Sequence, residues 1–158
     1  MAMEKTNVMR LLESSGIAYT AHGYDSTDGK IDGVSVAEKI GMELSVVFKT
    51  LLTMAAGGEI CVFIVPVAAE LDFKKAARAA GVKNIEMAPA KDILKISGYV
   101  KGGCSPLGMK RLYRTFIDEN AILLETMVVS AGKIGAQIEL APDDLLALAQ
   151  GQYADLCK

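Results

Sequence analysis

The sequence predicts one α+β domain built on a mixed, largely antiparallel sheet, and three observations carry that prediction. Two apolar runs, Val46–Ala55 and Glu59–Pro66, are separated only by a Gly57-Gly58 turn, which favours an antiparallel hairpin. Helical patterns flank this hairpin without the strict alternation of strand and helix that a doubly wound parallel sheet requires. The 158 residues are 51% apolar and contain no linker or repeat, so we expect a single domain over residues 1–158.

The segment before the hairpin is expected to hold a helix, a strand and a second helix. Thr6 is a candidate N-cap for the first helix, and the alternation over Ile17–Tyr24 predicts a strand. Asp25–Gly33 is polar and contains two glycines, so we expect a loop there. Ser35-Val-Ala-Glu38 matches a capping box, which predicts a short helix with Ser35 as its N-cap and Gly41 at its C-terminus.

The segment after the hairpin is expected to continue with helices and short strands. Asp72 is a candidate N-cap for a helix over Phe73–Ala80, which Gly81 closes. The remaining predicted elements are a strand at Ile85–Met87, a helix at Pro89–Ser97, strands at Thr115–Asp118, Thr126–Ser130 and Ile138–Leu140, and a final helix from Pro142 to about Ala149.

Composition and charge argue against several function classes. The three cysteines are odd in number and widely spaced, which argues against a disulfide framework or a zinc site and for a reducing cytoplasm. No apolar run approaches the roughly 20 residues of a membrane span. The net charge of −2 leaves nucleic-acid binding to a local basic patch, for which the candidates are Lys74, Lys75, Arg78, Lys101, Lys110, Arg111 and Arg114.

Lys49 is the most unusual residue of the chain, because it lies mid-way along a strand that is apolar on both faces. A lysine buried in a strand costs several kcal/mol unless it is paired or meets a cavity. One interpretation is a cation at the floor of a pocket, where it would bind a phosphate or a carboxylate. The other is an edge-strand lysine that prevents aggregation. The strongly apolar run around Lys49 favours the pocket.

Two glycine-rich segments are candidate ligand loops. Gly98–Arg111 holds four glycines, one proline and three cations, and Ser130–Gly135 resembles a phosphate-binding turn without matching a Walker A motif. Backbone N–H groups at glycines approach phosphates and oxyanions closely. Ordinary turns remain the alternative for both segments, and a hairpin turn is the default for the second.

No group of residues in the sequence identifies an activated protein nucleophile. His22 is the single histidine, and a structural role is the simpler explanation for it. Cys104 and Ser105 lie in the first glycine-rich segment without an evident base. Lys101 or Lys110 could supply the cationic setting that a Cys104 thiolate needs, but a small residue that fills space is the simpler explanation. The acidic residues are scattered without metal-ligand spacing, so we expect neither a metal nor a cofactor.

Four motifs follow one another along the chain: Val-Phe-Lys49-Thr-Leu-Leu, Pro66-Val-Ala-Ala-Glu-Leu-Asp72, Gly98-Tyr-Val-Lys-Gly-Gly-Cys-Ser-Pro-Leu-Gly108 and Ser130-Ala-Gly-Lys-Ile-Gly135. Together they resemble the YbaK family of stand-alone aminoacyl-tRNA editing domains, and within it the bacterial Cys-tRNA(Pro) deacylase branch. The resemblance covers nearly the whole chain. It implies a barrel-like mixed sheet surrounded by helices, similar to the editing insertion of bacterial prolyl-tRNA synthetases.

The resemblance also implies a function and a set of site residues. The protein would remove wrongly attached cysteine from the 3′ end of tRNA(Pro) in the cytoplasm, with the substrate's thiol attacking its own ester carbonyl to give a thiolactone and free tRNA. Lys49 and Tyr24 match catalytic positions. The substrate-binding positions are Gly102, Gly103, Ser130, Ala131, Gly132 and Gln137. The implied partners are aminoacylated tRNA and prolyl-tRNA synthetase, without DNA or a membrane.

Gln137 departs from the family pattern, in which cysteine-specific members carry an aspartate close to the position of Ile138. The change removes a charge from the site region and keeps two alternatives open. One is a deacylase of another mischarged tRNA, such as Ala-tRNA(Pro), that acts by attack of water. The other is a non-catalytic module that binds a tRNA end or a nucleotide.

Overall fold

The computed structural model describes residues 4–158; Met1–Met3, which the predicted domain includes, lie outside the described residues. Within that range the chain forms five α-helices, two 3-10 segments and eight strands. The helices are α1 (Asn7–Ser14), α2 (Gly33–Ile40), α3 (Phe73–Ala80), α4 (Ile93–Ser97) and α5 (Pro142–Ala149), and the 3-10 segments are Ala90–Asp92 and Glu119–Leu123. The strands are β1 (Thr20–Gly23), β2 (Phe48–Ala55), β3 (Ile60–Pro66), β4 (Ile85–Met87), β5 (Arg114–Asp118), β6 (Met127–Lys133), β7 (Ala136–Leu140) and β8 (Gln152–Ala154).

The strands are divided between two sheets, with orders β1-β7-β6 and β4-β2-β3-β5-β8. Four of the strand pairings are antiparallel, and the pairings of β5 with β3 and with β8 are parallel. The sheets meet where Val47 and Val128 form a parallel bridge, and the Val128 N–H donates to the Val46 carbonyl at 2.8 Å. The predicted α+β class with mixed, largely antiparallel strands is confirmed, although the described strands form two sheets that do not close into a barrel.

Three apolar clusters hold the two sheets and the helices together. The largest fills the space between the sheets, with Ile64 of β3 and Ile138 of β7 at 0% exposure and Leu12 of α1 packed against them. A second cluster lies on the opposite face of the larger sheet, where α3 covers Phe63 and Val65. In the third, α2 packs over the junction of the sheets at Val47 and Val128. Helix α2 is therefore held at the corner where the two sheets meet.

Most of the locally encoded elements form as predicted. Asp72 N-caps α3 by accepting from the N–H groups of Lys74 and Lys75, and Gly81 ends the helix in the left-handed region at φ 69°. Thr6 caps α1 in the same way, and the Gly57-Gly58 turn joins β2 to β3. Short-range signals of capping and turn formation were sufficient at these positions.

The structure differs from the prediction in several places. The strand predicted over Ile17–Tyr24 is shorter, at Thr20–Gly23, and the helix predicted over Pro89–Ser97 is a 3-10 segment followed by α4. Helix α2 begins at Gly33 with Asp32 as N-cap, so the proposed N-cap Ser35 lies inside the first turn and donates its N–H to Asp32. The segment expected to be a loop at Ala131–Gly135 is largely strand, because β6 runs to Lys133 across a β-bulge. Strand β8 was not predicted at all.

Candidate active site

A cavity of about 520 Å³ lies at the corner between α2 and the two sheets. Its walls come from the loop that leads into α2, the start of β2, the glycine-rich loop after α4, and the pair β6–β7. The polar residues that line it are Asp32, Lys49, Thr50, Lys101, Ser130 and Gln137. A volume in this range suits a small organic group held by a few polar contacts within mostly apolar walls.

Lys49 lies on the strand that forms the floor of this cavity. It pairs with Val65 across β2–β3, and its neighbour Phe48 is 3% exposed. Strand β4 pairs only with Thr53–Ala55, so the strand order alone does not exclude the edge-strand explanation of Lys49. The pocket explanation is favoured because Lys49 lines the cavity. Within residues 4–158 Lys49 forms no ion pair. Its ammonium group is therefore available to an anion or to a developing negative charge.

Thr50, the next residue along β2, also lines the cavity. Its hydroxyl oxygen is buried and has no hydrogen-bond partner among the described residues. Buried hydroxyl groups are nearly always paired in folded proteins, because an unpaired one costs about 1–3 kcal/mol. The Thr50 hydroxyl is therefore a buried polar group in the cavity wall that the described residues leave without a partner.

Asp32 lines the cavity from the N-terminal end of α2. One carboxylate oxygen accepts from the Ser35 N–H at 3.1 Å and the other from the Ser35 hydroxyl at 2.7 Å. The hydrogen bond from the Ser35 hydroxyl, followed by the one from its N–H, holds the pKa of Asp32 below its usual range. The next residue, Gly33, lies against Val67, and a Cβ at Gly33 would come within 2.4 Å of Val67 Cγ1. The cap and this contact fix where the carboxylate sits.

The loop before α2 closes one side of the cavity, and Lys39 of α2 fastens it. The Lys39 ammonium donates to the Asp25 carbonyl at 2.6 Å, to the Asp28 carboxylate at 2.7 Å and to the Lys30 carbonyl at 2.9 Å. Further along the loop, Ile31 reaches across to the glycine-rich loop, where a Cβ at Gly102 would lie 2.7 Å from Ile31 Cδ1. A Cβ there would have to displace the end of the Ile31 side chain, and Gly102 also has a φ of 88°, which favours glycine.

Tyr24 lies at the start of this same loop and not among the residues that line the cavity. The Lys39 ammonium lies 5.8 Å from the centre of its ring. Its hydroxyl is buried and has no partner within residues 4–158. The residue thus belongs to the support of the loop and of Lys39 rather than to the wall itself.

The glycine-rich loop contributes Lys101, Gly102 and Cys104 to the cavity. Gly103 is packed away from it: its N–H donates to the Val100 carbonyl at 3.0 Å, and a Cβ there would lie 3.1 Å from the Ile134 nitrogen. Burial raises the pKa of the Cys104 thiol, so this group stays protonated near neutral pH.

Strands β6 and β7 supply Ser130 and Gln137, which face each other across the ladder. Gln137 is 6% exposed, and its side chain has no hydrogen bond to another described residue. The neighbours Ala131 and Gly132 lie elsewhere: Ala131 is fully buried in the core, and Gly132 packs against Tyr99. The Gly132 N–H donates to the Ser130 hydroxyl at 3.1 Å, which orients that side chain.

His22 belongs to a separate polar group on the smaller sheet. Its Nε2 lies 2.7 Å from one oxygen of Glu139, whose other oxygen accepts from the Thr126 hydroxyl. The hydrogen bond from Thr126, followed by the contact with His22, holds the pKa of Glu139 below its usual range. None of the three residues lines the cavity, which agrees with the structural role expected for His22.

Of the eight residues predicted for the site, four line the cavity: Lys49, Gly102, Ser130 and Gln137. The other four, Tyr24, Gly103, Ala131 and Gly132, lie behind its wall. Sequence reasoning missed Asp32 and Thr50. Asp32 was missed because Ser35 was assigned as the N-cap of α2. An aspartate three residues before Ser35 could equally have been identified as the N-cap. Thr50 could have been identified as Lys49 was, because it is also a polar residue inside an apolar strand.

The described part of the chain shows neither a metal centre nor a membrane-spanning helix. Between residues 4 and 158, no group of three or more His, Cys, Asp or Glu side chains is arranged to hold a metal ion. In the same range, no helix has the length and apolar character needed to cross a membrane.

Comparison with known proteins adds to this geometry. Residues 32–148 match the family model of the aminoacyl-tRNA editing domain. Over 153 residues, which are 97% of this chain and 93% of the relative, the sequence is 41% identical to EbsC of Enterococcus faecalis (strain ATCC 700802 / V583), provisionally named a Cys-tRNA(Pro)/Cys-tRNA(Cys) deacylase. It is 27% identical over 123 residues to the uncharacterized protein YwhH of Bacillus subtilis (strain 168), which covers 77% of this chain and 78% of YwhH.

The fold is similar to solved structures as well. One, provisionally described as a trans-editing enzyme for prolyl tRNA synthetase, superposes with a TM-score of 0.83 at 23% identity, over 99% of both chains. At that level of identity the likeness concerns the fold, and it extends over both sheets and the helices that cover them.

Proposed function

The chain belongs to the aminoacyl-tRNA editing domain family, and from this premise we propose that it is a trans-editing deacylase that removes mischarged cysteine from tRNA(Pro) in the cytoplasm. The observation that carries the proposal is the cavity itself. It contains the cation Lys49, which forms no ion pair with another described residue, but no activated protein nucleophile. Such a site can bind and polarise an ester, and it leaves the nucleophile to the substrate.

The side chains of the cavity argue against attack by the protein. The pKa of the Cys104 thiol is raised by burial, so its thiolate is scarce at neutral pH. The Ser130 hydroxyl accepts a hydrogen bond from the Gly132 N–H, and no histidine or carboxylate among residues 4–158 bonds to it. A hydroxyl without a neighbouring base is a weak nucleophile.

In the proposed reaction the sulfur of the cysteinyl group attacks the carbonyl carbon of its own ester. The bond between that carbon and the ribose oxygen breaks, the proton lost by the thiol ends on the ribose oxygen, and the products are cysteine thiolactone and free tRNA. Lys49 stabilises the negative charge that develops in the transition state or binds the adjacent phosphate. Because the nucleophile is the thiol of the substrate, esters of alanine and serine, which have no thiol, are not processed by this route.

The remaining predicted residues have supporting roles in this proposal. Gly102, Ser130 and Gln137 contact the aminoacyl group and the terminal adenosine. Gly103, Ala131 and Gly132 shape the backbone behind Gly102 and Ser130, and Tyr24 steadies the loop that covers the site. Lys101 extends the positive charge of the site towards the tRNA, and prolyl-tRNA synthetase is the proposed partner that supplies the mischarged tRNA.

The test is deacylation of Cys-tRNA(Pro), Ala-tRNA(Pro) and Ser-tRNA(Pro) by the wild type, by Lys49→Ala, and by Lys83→Ala as a control. Lys83 is an exposed lysine outside the cavity. We expect the wild type to release cysteine alone. Lys49→Ala should lose about 100-fold in kcat/KM, as for removal of a group that stabilises transition-state charge. Lys83→Ala should change little.

Other outcomes identify the alternatives. Release of alanine at a comparable rate would assign the site to Ala-tRNA(Pro) and to attack by water, for which Gln137 in place of an acid is the relevant feature. Binding of tRNA without turnover of any substrate would leave a non-catalytic module and would refute the deacylase.

A further inference from the structure

The cavity holds charges of opposite sign that do not neutralise each other. Asp32 is the one acidic residue that lines it within the described range, and Lys49 and Lys101 line it too. No ion pair joins Asp32 to either lysine or to any other cation of residues 4–158. A cavity that keeps a carboxylate and an ammonium group apart is suited to a ligand that carries both a cation and an electron-rich group.

An aminoacyl ester is such a ligand, because its α-carbon bears an ammonium group on one side and the ester carbonyl on the other. We propose that Asp32 binds the α-ammonium group of the aminoacyl ester, so that the site accepts tRNA esters with a free α-amine and disfavours N-acylated ones such as peptidyl-tRNA. This inference rests on the proposed function and assigns to it a recognition residue and a substrate class.

The surroundings of Asp32 support this role. Its two oxygens each accept one hydrogen bond from Ser35, and a carboxylate oxygen has two lone pairs, so both keep acceptor capacity. Those bonds and the packing of Gly33 on Val67 hold the group in place before a ligand arrives. The depressed pKa of Asp32 keeps it ionised throughout the neutral range. A carboxylate that is ionised and already oriented loses little freedom when an ammonium group binds.

The experiment compares ligands that differ only at the α-nitrogen. The probes are 3′-deoxy-3′-amino-adenosine acylated with serine, whose amide resists hydrolysis, and its N-acetyl derivative. Binding is measured by calorimetry at pH 6.5, where the α-amine is protonated. In parallel, deacylation of Cys-tRNA(Pro) is compared with that of N-acetyl-Cys-tRNA(Pro).

The variant is Asp32→Asn, and the matched control is Asp72→Asn. Asparagine is as good an N-cap as aspartate, so both helices are expected to stay folded. Asp72 caps α3 in the same way but does not line the cavity. A change specific to Asp32→Asn therefore reports on the cavity and not on capping.

We expect the wild type to prefer the free amine about tenfold over the N-acetyl form, in binding and in kcat/KM, as for one charge-assisted hydrogen bond at an exposed position. In Asp32→Asn the ratio of the two values should fall close to one, because only the ligand with the free amine binds more weakly. Asp72→Asn should keep the wild-type ratio. An unchanged preference in Asp32→Asn, or equal weakening of both ligands, would overturn the inference. If the preference depends on Asp32 but no tRNA is deacylated, the recognition role stands and the proposed deacylase does not.

Discussion

At the scale of single residues, Cys104 illustrates how a cavity can contain a thiol that does not react. The residue lines the cavity beside Gly102, where a nucleophile would be expected in a conventional hydrolase. Burial raises its pKa, and no cation or imidazole among the described residues contacts the sulfur to reverse that effect. The cavity thus has the shape of a catalytic site, while the thiol needed for the proposed reaction comes from the substrate.

We therefore expect Cys104→Ala to retain cysteine deacylation within about threefold of the wild type, a change of less than about 1 kcal/mol in the barrier. The measurement is single-turnover release of cysteine from Cys-tRNA(Pro), with Lys49→Ala as the inactive reference. A loss as large as that of Lys49→Ala would show that the protein's own thiol takes part in the chemistry.

At the scale of elements, the start of α2 joins the fold to the cavity. Gly33 occupies the first position of the helix, where alanine would ordinarily be more favourable than glycine. Here a Cβ would lie 2.4 Å from Val67 Cγ1 and 2.6 Å from Val67 Cβ. These contacts involve the stem of a β-branched side chain that has little freedom to move, so the steric cost outweighs the gain in helix propensity.

Gly33→Ala should consequently lower the free energy of unfolding by about 1–3 kcal/mol, the range typical of overpacking. Urea unfolding of the wild type, Gly33→Ala, Val67→Gly and the double variant measures the coupling between the two positions. The loss caused by Gly33→Ala should shrink in the Val67→Gly background. An equal loss in both backgrounds would rule out the contact with Val67 as its cause.

The elements that the sequence predicts well are those with signals contained in a few neighbouring residues. Helix α3, between Asp72 and Gly81, and the turn at Gly57-Gly58 are of this kind. Strand β8 has only three residues, is exposed or partly buried along its length, and depends on parallel pairing with β5, about 36 positions earlier (Ile117 with Tyr153). No local periodicity indicates a pairing that is decided by packing elsewhere in the chain.

The same distinction applies to the site. Lys49 was recognisable because a charged residue inside an apolar strand conflicts with its surroundings. Asp32 was not, since an aspartate at the start of a helix is explained by capping alone. Gly103 and Gly132 were grouped with Gly102 and Ser130 because they are adjacent in sequence, whereas the fold turns them to the other side of the wall.

At the scale of the whole molecule, the group formed by His22, Glu139 and Thr126 ties the early part of the chain to its late part. His22 and Glu139 are 117 positions apart in sequence. The pKa of Glu139 is lowered in the folded protein from its ordinary value of 4.5, chiefly by the hydrogen bond from the Thr126 hydroxyl. A carboxylate whose pKa is lower in the folded than in the unfolded protein stabilises the fold at pH values above 4.5. That stability is lost as the pH falls through the pKa of the folded protein.

Replacing Thr126 with valine should therefore reduce the free energy of unfolding by about 1–2 kcal/mol at pH 7, as for loss of a hydrogen bond to a charged group. The difference from the wild type should shrink as the pH falls below 4.5, where Glu139 takes up a proton in either form. Ser14→Ala is the control, because the Ser14 hydroxyl donates to the Leu11 carbonyl and contacts no carboxylate. A difference for Thr126→Val that does not change with pH would contradict this account.

The walls of the cavity come from positions far apart in the chain, and this has a consequence for its synthesis. Asp32 and Lys49 leave the ribosome early, Lys101 later, and Gln137 only when most of the protein has been made. Strand β1 has no partner until β7 has emerged, because the smaller sheet places β7 between β1 and β6. A nascent chain or a prematurely terminated product therefore contains the lysine but not the enclosure around it. The proposed activity on tRNA therefore requires a chain that has been translated through β7.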